Sequence, residues 1–219
     1  MFVKDFMTKD LITVQTTQRI GAAVDLMNQN KIHRLPVVDT KEKLIGLVTE
    51  SVIAESSPSN ATSLSVFEMN YLLNKTTVGD VMIKNVKTIG PNALLEGAVD
   101  MMRKNHINVL PVVDGEKLVG IITNNDIFDA FLEITGYNSD GVRVAIQIKQ
   151  DQKGVLARLT KIFFEAQINI VQIVVYREIK EQPIVVVQVT GQDADDVRAL
   201  LTENDFDVMM SLNTSSSEE

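Results

Sequence analysis

Cysteine is absent from the 219 residues, which excludes disulfides, thiolate metal sites and a cysteine nucleophile. Histidine occurs only at His33 and His106, too few for an all-histidine metal site, and no Gly-rich phosphate loop or nucleophile–base pattern is visible. No catalytic or metal residues are assigned on this reading, and the chain is not expected to be an enzyme. Positive charge is scarce too: 21 Lys and Arg against 29 Asp and Glu leave a net charge of −8. A partner held through a nucleic-acid backbone would need a basic face, so none is expected. No run approaches the ~20 apolar residues of a spanning helix, and Lys4, Asp5, Lys9 and Asp10 interrupt the N-terminus where a signal peptide would be apolar. The expected location is cytoplasmic, without membrane insertion. What remains is 45% hydrophobic, enough to bury a sizeable core in one or two domains.

The chain repeats itself. Val3 to Ile53 and Val78 to Ile127 align almost without gaps, and both carry Leu-Pro-Val-Val-Asp, at Leu35–Asp39 and Leu110–Asp114. Met7, Thr13, Ala23, Val24, Asp25, Met27, Ile32 and Pro36 recur 75 positions later, whereas Lys43, Leu44, Gly46 and Thr49 recur 74 positions later. The lost residue falls between Asp114 and Lys117, where a hairpin loop tolerates it. Ile20, Ala23, Val24 and Met27, and again Leu95, Ala98, Val99 and Met102, have the spacing of an amphipathic helix. Short apolar stretches lie upstream at Leu11–Val14 and Val86–Ile89. Downstream, Leu35–Val38 and Leu44–Val48, or Leu110–Val113 and Leu118–Ile122, read as strands, with Asp114-Gly115 as a tight turn. Each unit is therefore strand, helix, strand, strand, then a helix from about Glu50 or Asn124. Units this small should pack in pairs, as one domain with clefts.

Glu55 to Ser63 has loop composition, and Val66, Met69, Tyr71, Leu72 and Leu73 suggest a helix before the second repeat. Thr135–Gly141 reads as a linker and natural hinge. Beyond it come a strand over Val142–Ile148, a helix marked by Val155, Leu159, Ile162, Phe163 and Ala166, strands over Ile168–Tyr176 and Ile184–Val189, a helix marked by Val197, Leu200 and Leu201, and a strand over Phe206–Met210. The order β-α-β-β-α-β is ferredoxin-like. Expected boundaries are 1–57 for repeat one, 58–77 for the connecting segment, 78–134 for repeat two, 135–141 for the hinge and 142–212 for the last domain. A polar tail, 213–219, is expected to be disordered. The fold class is α/β (α+β).

The repeated unit, with Leu-Pro-Val-Val-Asp and Gly-Ile-Ile-Thr-Asn-Asn-Asp at Gly120–Asp126, resembles the CBS domain, whose tandem pairs are regulatory modules. The C-terminal part, with Asp-Gln-Lys-Gly-Val-Leu at Asp151–Leu156 and Ile-Asn-Ile at Ile168–Ile170, resembles an ACT domain. A CBS pair followed by an ACT domain, with no enzyme attached, resembles the acetoin-utilisation protein B family.

The resemblance implies adenosine-type ligands in the CBS clefts: AMP, ADP, ATP or S-adenosylmethionine. Thr123 and Asp126 sit where a strand passes into a helix, so Asp126 can take the ribose hydroxyls and Thr123 a phosphate or ribose oxygen. Thr88, Ile89 and Pro91, with Asn108, Val109, Leu110 and Pro111, are expected to wall the adenine. The plain alternative is that Thr123 and Asp126 merely cap the helix, and the two roles are compatible. In the first repeat Thr49 is retained, but Val52 answers Asp126 and Thr16 answers Pro91, so one competent and one degenerate cleft are expected. Arg34 is the candidate phosphate ligand, with a solvated surface arginine as the plain reading; His33 is a second donor or else structural. In the ACT-like part, Asp151, Gly154, Val155, Leu156, Asn169 and Ile170 would hold an amino acid at an interface between two ACT domains, or else form a turn and cap. Val155, Leu156 and Ile170 would suit a branched side chain and equally an ordinary core.

The function expected is a regulatory sensor: a homodimer through its CBS and ACT domains that binds an adenine nucleotide, and an amino acid effector besides, and changes its contacts with a metabolic enzyme or transporter. The alternative is a purely structural dimerisation module with non-functional clefts.

Overall fold

The sequence repeat is a backbone repeat. The computed structural model describes residues 1–56, 75–177 and 182–215; the helix expected across 66–73 lies outside them. The chain divides into two compact units, Met1–Ile127 and Phe128–Glu219.

In the first unit, repeat one runs α1 (Val3–Phe6), α2 (Ile20–Asn30), β1 (Arg34–Val38), β2 (Leu44–Thr49) and α3 (Glu50–Ser56). Repeat two runs α4 (Val78–Val81), α5 (Leu95–Asn105), β3 (Val109–Asp114), β4 (Lys117–Thr123) and α6 (Asn124–Thr135). The helical periodicity is realised at three of its four positions in each helix: Ile20, Ala23 and Met27 of α2 are buried, as are Leu95, Ala98 and Met102 of α5, whereas Val24 is half-buried and Val99 exposed. Each pair of strands is an antiparallel hairpin with a register shift at the same place, Val37/Val38 and Val112/Val113. Gly115 turns the second hairpin at φ 62°. The turn of the first hairpin, one residue longer, has no glycine; there the Asp39 carboxylate accepts the Lys41 and Lys43 amides at 2.8 and 2.9 Å. Those two bonds hold that carboxyl below the usual aspartate range.

The leading strands expected at Leu11–Val14 and Val86–Ile89 contract to one parallel bridge each, Val14 to Val37 and Ile89 to Val112. A parallel ladder extended toward Ile12 or Lys87 would next require an N–H from Pro36 or Pro111, and proline has none. The short helices α1 and α4 were not anticipated from the sequence, and they carry the main departure from a simple tandem. Each docks on the other repeat. Val3 and Lys4 donate to the carbonyls of Ala93 and Pro91 at 2.9 Å, while Val78 and Gly79 donate to Gln18 and Thr16 at 2.8 and 2.9 Å. Thr8 then pairs with Ile121, and Ile83 with Leu47. Val78, fully buried, belongs to the core of Ile20, Met27, Leu35 and Val48.

This exchange explains why Met7/Met82 and Gly46/Gly120 recur together. Met82 lies over Gly46, where an added Cβ would meet its Sδ at 2.5 Å and the Ile83 carbonyl at 3.1 Å; Met7 covers Gly120 in the same way. The thioether can move, but the Ile83 carbonyl is held in its pair with Leu47. Gly46→Ala is therefore expected to destabilise the first unit by about 1–3 kcal/mol, as overpacking does. Urea titration would check this, and an unchanged midpoint would contradict the close approach.

The second unit contains β5 (Gly141–Gln147), α7 (Val155–Glu165), β6 (Ile170–Tyr176), β7 (Ile184–Val189), α8 (Ala194–Glu203) and β8 (Asp207–Thr214), in the sheet order β6-β7-β5-β8. Val142, Val144 and Ile146 of β5 alternate inward with Val185, Val187 and Val189 of β7, under Leu159 and Phe163 of α7 and Val197 and Leu201 of α8. Strand β8 runs further than read, because Asn213 and Thr214, assigned to a disordered tail, pair with Val142 and Gly141. Their polar side chains fasten the strand: Asn213 Oδ1 accepts the Ala194 amide at 2.9 Å, and Thr214 Oγ1 donates to Ser139 at 2.9 Å. The 135–141 segment, read as a linker and hinge, is similarly anchored. Arg143 bonds the Thr135 carbonyl at 2.9 Å, and the buried Gln188 bonds that of Ser139 at 3.0 Å.

Candidate functional site

The exchange of leading segments brings the start of repeat one against the end of β4, and a cavity of about 290 Å³ opens there. Thr123 and Asp126 form one wall; Leu11, Ile12, Ile32 and Pro36 supply apolar surface, and His33 and Arg34 lie on the rim. Thr123 is the N-cap of α6 and Asp126 its third residue, the spacing of a capping box. The Thr123 amide and hydroxyl donate to Asp126 Oδ2 at 2.6 and 2.8 Å, and the Asp126 amide points back to Thr123 Oγ1 at 3.4 Å. Capping thus engages only Oδ2. Oδ1 has no hydrogen-bond partner among the described residues, so the same carboxylate can cap the helix and still present an acceptor to the cavity.

Arg34 opens β1 and is half-buried. Its guanidinium makes no hydrogen bond or ion pair with any described residue; burial lowers its pKa, an effect that Glu50 partly opposes through space. It stays charged, as a guanidinium does. A desolvated, unpaired cation beside a cavity favours an anionic ligand group. His33 differs: its Nδ1 lies 2.9 Å from Glu50 Oε2, so it has a protein partner already.

The walls expected from repeat two are not at this cavity. Thr88, Ile89, Pro91, Val109, Leu110 and Pro111 lie away from it, with Ile89 bridged to Val112 and the Pro91 carbonyl taken by Lys4. Their place is filled by repeat one, where His33, Arg34 and Pro36 are the counterparts of Asn108, Val109 and Pro111. The reason is the crossed pairing of Thr8 with Ile121, which sets each cleft between one repeat's β-hairpin end and the other's leading segment. Leu11 and Ile12 were therefore missed as lining residues. The facing Met7–Gly120 and Met82–Gly46 pairs were the signal available for finding them.

Asn108 does line a cleft, a polar one of about 250 Å³ shared with His33, Arg34, Thr49, Glu50 and Ser51. Here the helix start holds a single cap, Val52 N to Thr49 Oγ1 at 3.3 Å, and no carboxylate corresponds to Asp126. Arg34 borders both cavities.

In the second unit Asp151, Gly154, Val155 and Leu156 surround a cavity of about 300 Å³ together with Val175, Arg177 and Pro183. Gly154, at φ 93°, is the N-cap of α7 and offers no side-chain cap. Asn169 and Ile170 are not part of it; the Asn169 carbonyl accepts Thr190, and Ile170 packs on the core. Strands β5 and β6 each pair antiparallel with β7 and so run parallel to one another. The loop that follows β5 consequently meets the end of β6, at Val175 and Arg177, and not its beginning, roughly 20 Å away along the strand. A larger open cavity, about 440 Å³, lies across the same loop, where Arg158 stands 4.4 Å over the Phe206 ring.

The CBS domain model matches residues 3–58 and 78–133, and the ACT domain model matches 143–205. A Vibrio cholerae protein described as an acetoin utilization protein (AcuB) is 30% identical over 62% of this chain and 93% of its own, with a TM-score of 0.52. The CBS domain pair of protein MJ0100, in complex with 5′-methylthioadenosine and S-adenosyl-L-methionine, is 30% identical over 60% of this chain and 95% of its own, with a TM-score of 0.50. CBSX2, in complex with AMP, is 30% identical over 61% of this chain and 97% of its own, with a TM-score of 0.51.

Proposed function

Because the chain belongs to the CBS-domain family and carries an ACT domain behind its CBS pair, we propose that it is a non-catalytic regulatory sensor that binds an adenine nucleotide or related adenosyl ligand in the Thr123–Asp126 cavity. The carrying observation is the Asp126 carboxylate at an apolar-walled cavity, one oxygen engaged in capping and the other without a partner among the described residues, beside a guanidinium likewise unpaired among them. Ribose hydroxyls suit the free carboxylate oxygen, a purine suits Leu11, Ile12, Ile32 and Pro36, and a phosphate suits Arg34. The AMP of CBSX2 carries all three groups, and the S-adenosylmethionine of MJ0100 carries the ribose and purine with a carboxylate where AMP has its phosphate. The Thr49 cleft, with Val52 for Asp126 and the Glu50 carboxylate in its lining, is the degenerate one.

Equilibrium binding of AMP, ADP, ATP, S-adenosylmethionine and 5′-methylthioadenosine to the full chain tests this, and the absence of saturation by all five at millimolar concentration would refute it. Arg34→Ala is expected to weaken AMP by about 10- to 100-fold, the cost of one charge-assisted hydrogen bond, and to leave 5′-methylthioadenosine, which has no phosphate, within a factor of three. Equal losses for both would remove Arg34 from the phosphate role.

In the second unit the cavity beside Gly154 is the place for an amino acid effector. The working form is a homodimer, in which exposed Phe128 and Phe131 and the edge strand β6, with exposed Ile173 and Val175, are surfaces for a second copy. Ligand acts by preferring one arrangement of that dimer and so altering its hold on a metabolic enzyme or transporter. The bonds between Thr123 and Asp126 also favour a second reading, a structural module in which they are caps and nothing else. That module would bind none of the five compounds.

A further inference from the structure

The cavity beside Gly154 contains a feature that helix capping does not explain. Its apolar part, with Ile148, Val155, Leu156, Val175 and Val185, ends at a pair of opposite charges: Arg177 Nη2 lies 2.8 Å from Asp151 Oδ2. Both side chains are more than half exposed, and an exposed ion pair adds little to stability, so packing gives no strong reason to set this pair at the mouth of an apolar cavity. An α-amino acid presents the complementary arrangement, a carboxylate and an ammonium on one carbon, with the side chain projecting away from them.

Resting on the effector reading above, we infer that Arg177 is the carboxylate-binding residue of this site and Asp151 its ammonium acceptor, and that the ligand is an amino acid with an aliphatic side chain. A guanidinium takes a carboxylate through two parallel N–H bonds, and Arg177 spends only one bond on Asp151. Binding exchanges one exposed ion pair for two partly enclosed ones, with no charge left uncompensated. The cavity, about 300 Å³, lies at the small end of ligand cavities, and beyond Asp151, Arg177 and the exposed Gln152 its lining side chains are apolar and offer a hydroxyl or carboxylate no partner. Selectivity for valine, leucine or isoleucine over serine or aspartate follows. Arg177 lies outside the stretch that the sequence singled out, because its contact with Asp151 spans from the loop after β5 to the end of β6.

Calorimetric titration of the full chain with L-leucine, L-valine and L-serine, and with isovalerate and isoamylamine as leucine analogues lacking the ammonium and the carboxylate, tests this. Wild-type protein is expected to bind leucine or valine saturably and neither analogue measurably. Arg177→Gln should weaken the amino acid tenfold or more, and Arg177→Lys should weaken it less. Circular dichroism and the thermal unfolding transition of the second unit confirm that each variant is folded. Amino acid binding that persists unchanged in folded Arg177→Gln would overturn the assignment and leave the effector reading intact, as would a preference for serine. No binding of any amino acid by the wild type would overturn both.

Discussion

Asp126→Ala is expected to abolish the rise in unfolding temperature that an adenosyl ligand produces in the wild type. A ligand at 100 times its Kd stabilises by about 2.7 kcal/mol, a shift of roughly 5–10 °C for a chain of this size. The variant loses the free Oδ1 with which the ribose would bond and the Oδ2 that caps α6, so its own stability should fall by about 0.5–2 kcal/mol. Asp126→Asn separates the two losses. The amide keeps an oxygen for the cap and loses the charge that makes hydroxyl-to-carboxylate bonds strong, so it should restore most of the stability and little of the ligand response. Differential scanning calorimetry of the three proteins with and without AMP or S-adenosylmethionine decides the matter. A ligand shift that survives in Asp126→Ala would take the ribose away from α6.

The second large effect concerns the other unit. Phe163 is fully buried at the centre of the second core, among Val144, Leu159, Val187 and Leu201. Phe163→Ala should cost about 3–5 kcal/mol, enough to unfold a domain of ordinary stability on modest heating. Its hydrophobic cluster shares no residue with that of Ile20, Met27, Leu35 and Val48. Calorimetry is therefore expected to show one transition moved down while the transition that responds to adenosyl ligand stays in place. A single cooperative transition, shifted as a whole, would mean that the two units unfold as one.

Where periodicity governs, the sequence was sufficient: α2 and α5 bury the residues at i, i+3 and i+7, and Asp114-Gly115 turns its hairpin as the dipeptide requires. The Thr123–Asp126 spacing likewise announced both the cap and the candidate site. Partnership between distant segments was harder to read. The resemblance sets Thr88, Ile89 and Pro91 beside Asp126 because they share its repeat, whereas the backbone gives that position to Leu11, Ile12 and Pro36. Asn169 is set beside Gly154 by the ACT resemblance, and within one copy of the chain the parallel strand directions put Arg177 there. Side-chain pattern along one strand does not record which other strand lies alongside. The polar end of β8 was taken for a tail because Asn213 and Thr214 stabilise a strand through their own hydrogen bonds, which carry no hydrophobic alternation.

The mutual docking of α1 and α4 also bears on how the protein is made. While only the first repeat has emerged during synthesis, Val3 and Met7 lack the loop and the glycine they cover, and the core of Ile20 and Leu35 lacks Val78. Thr8 finds Ile121 only after nearly the whole first unit exists, so closure of the Thr123–Asp126 cavity is a late, long-range event and folding should be slow for the unit's size. A fragment ending after α3 would carry a complementary hook and socket with no internal means of joining them. Two such fragments would be expected to join reciprocally, rebuilding from identical halves the two-clefted body that the full chain forms within itself.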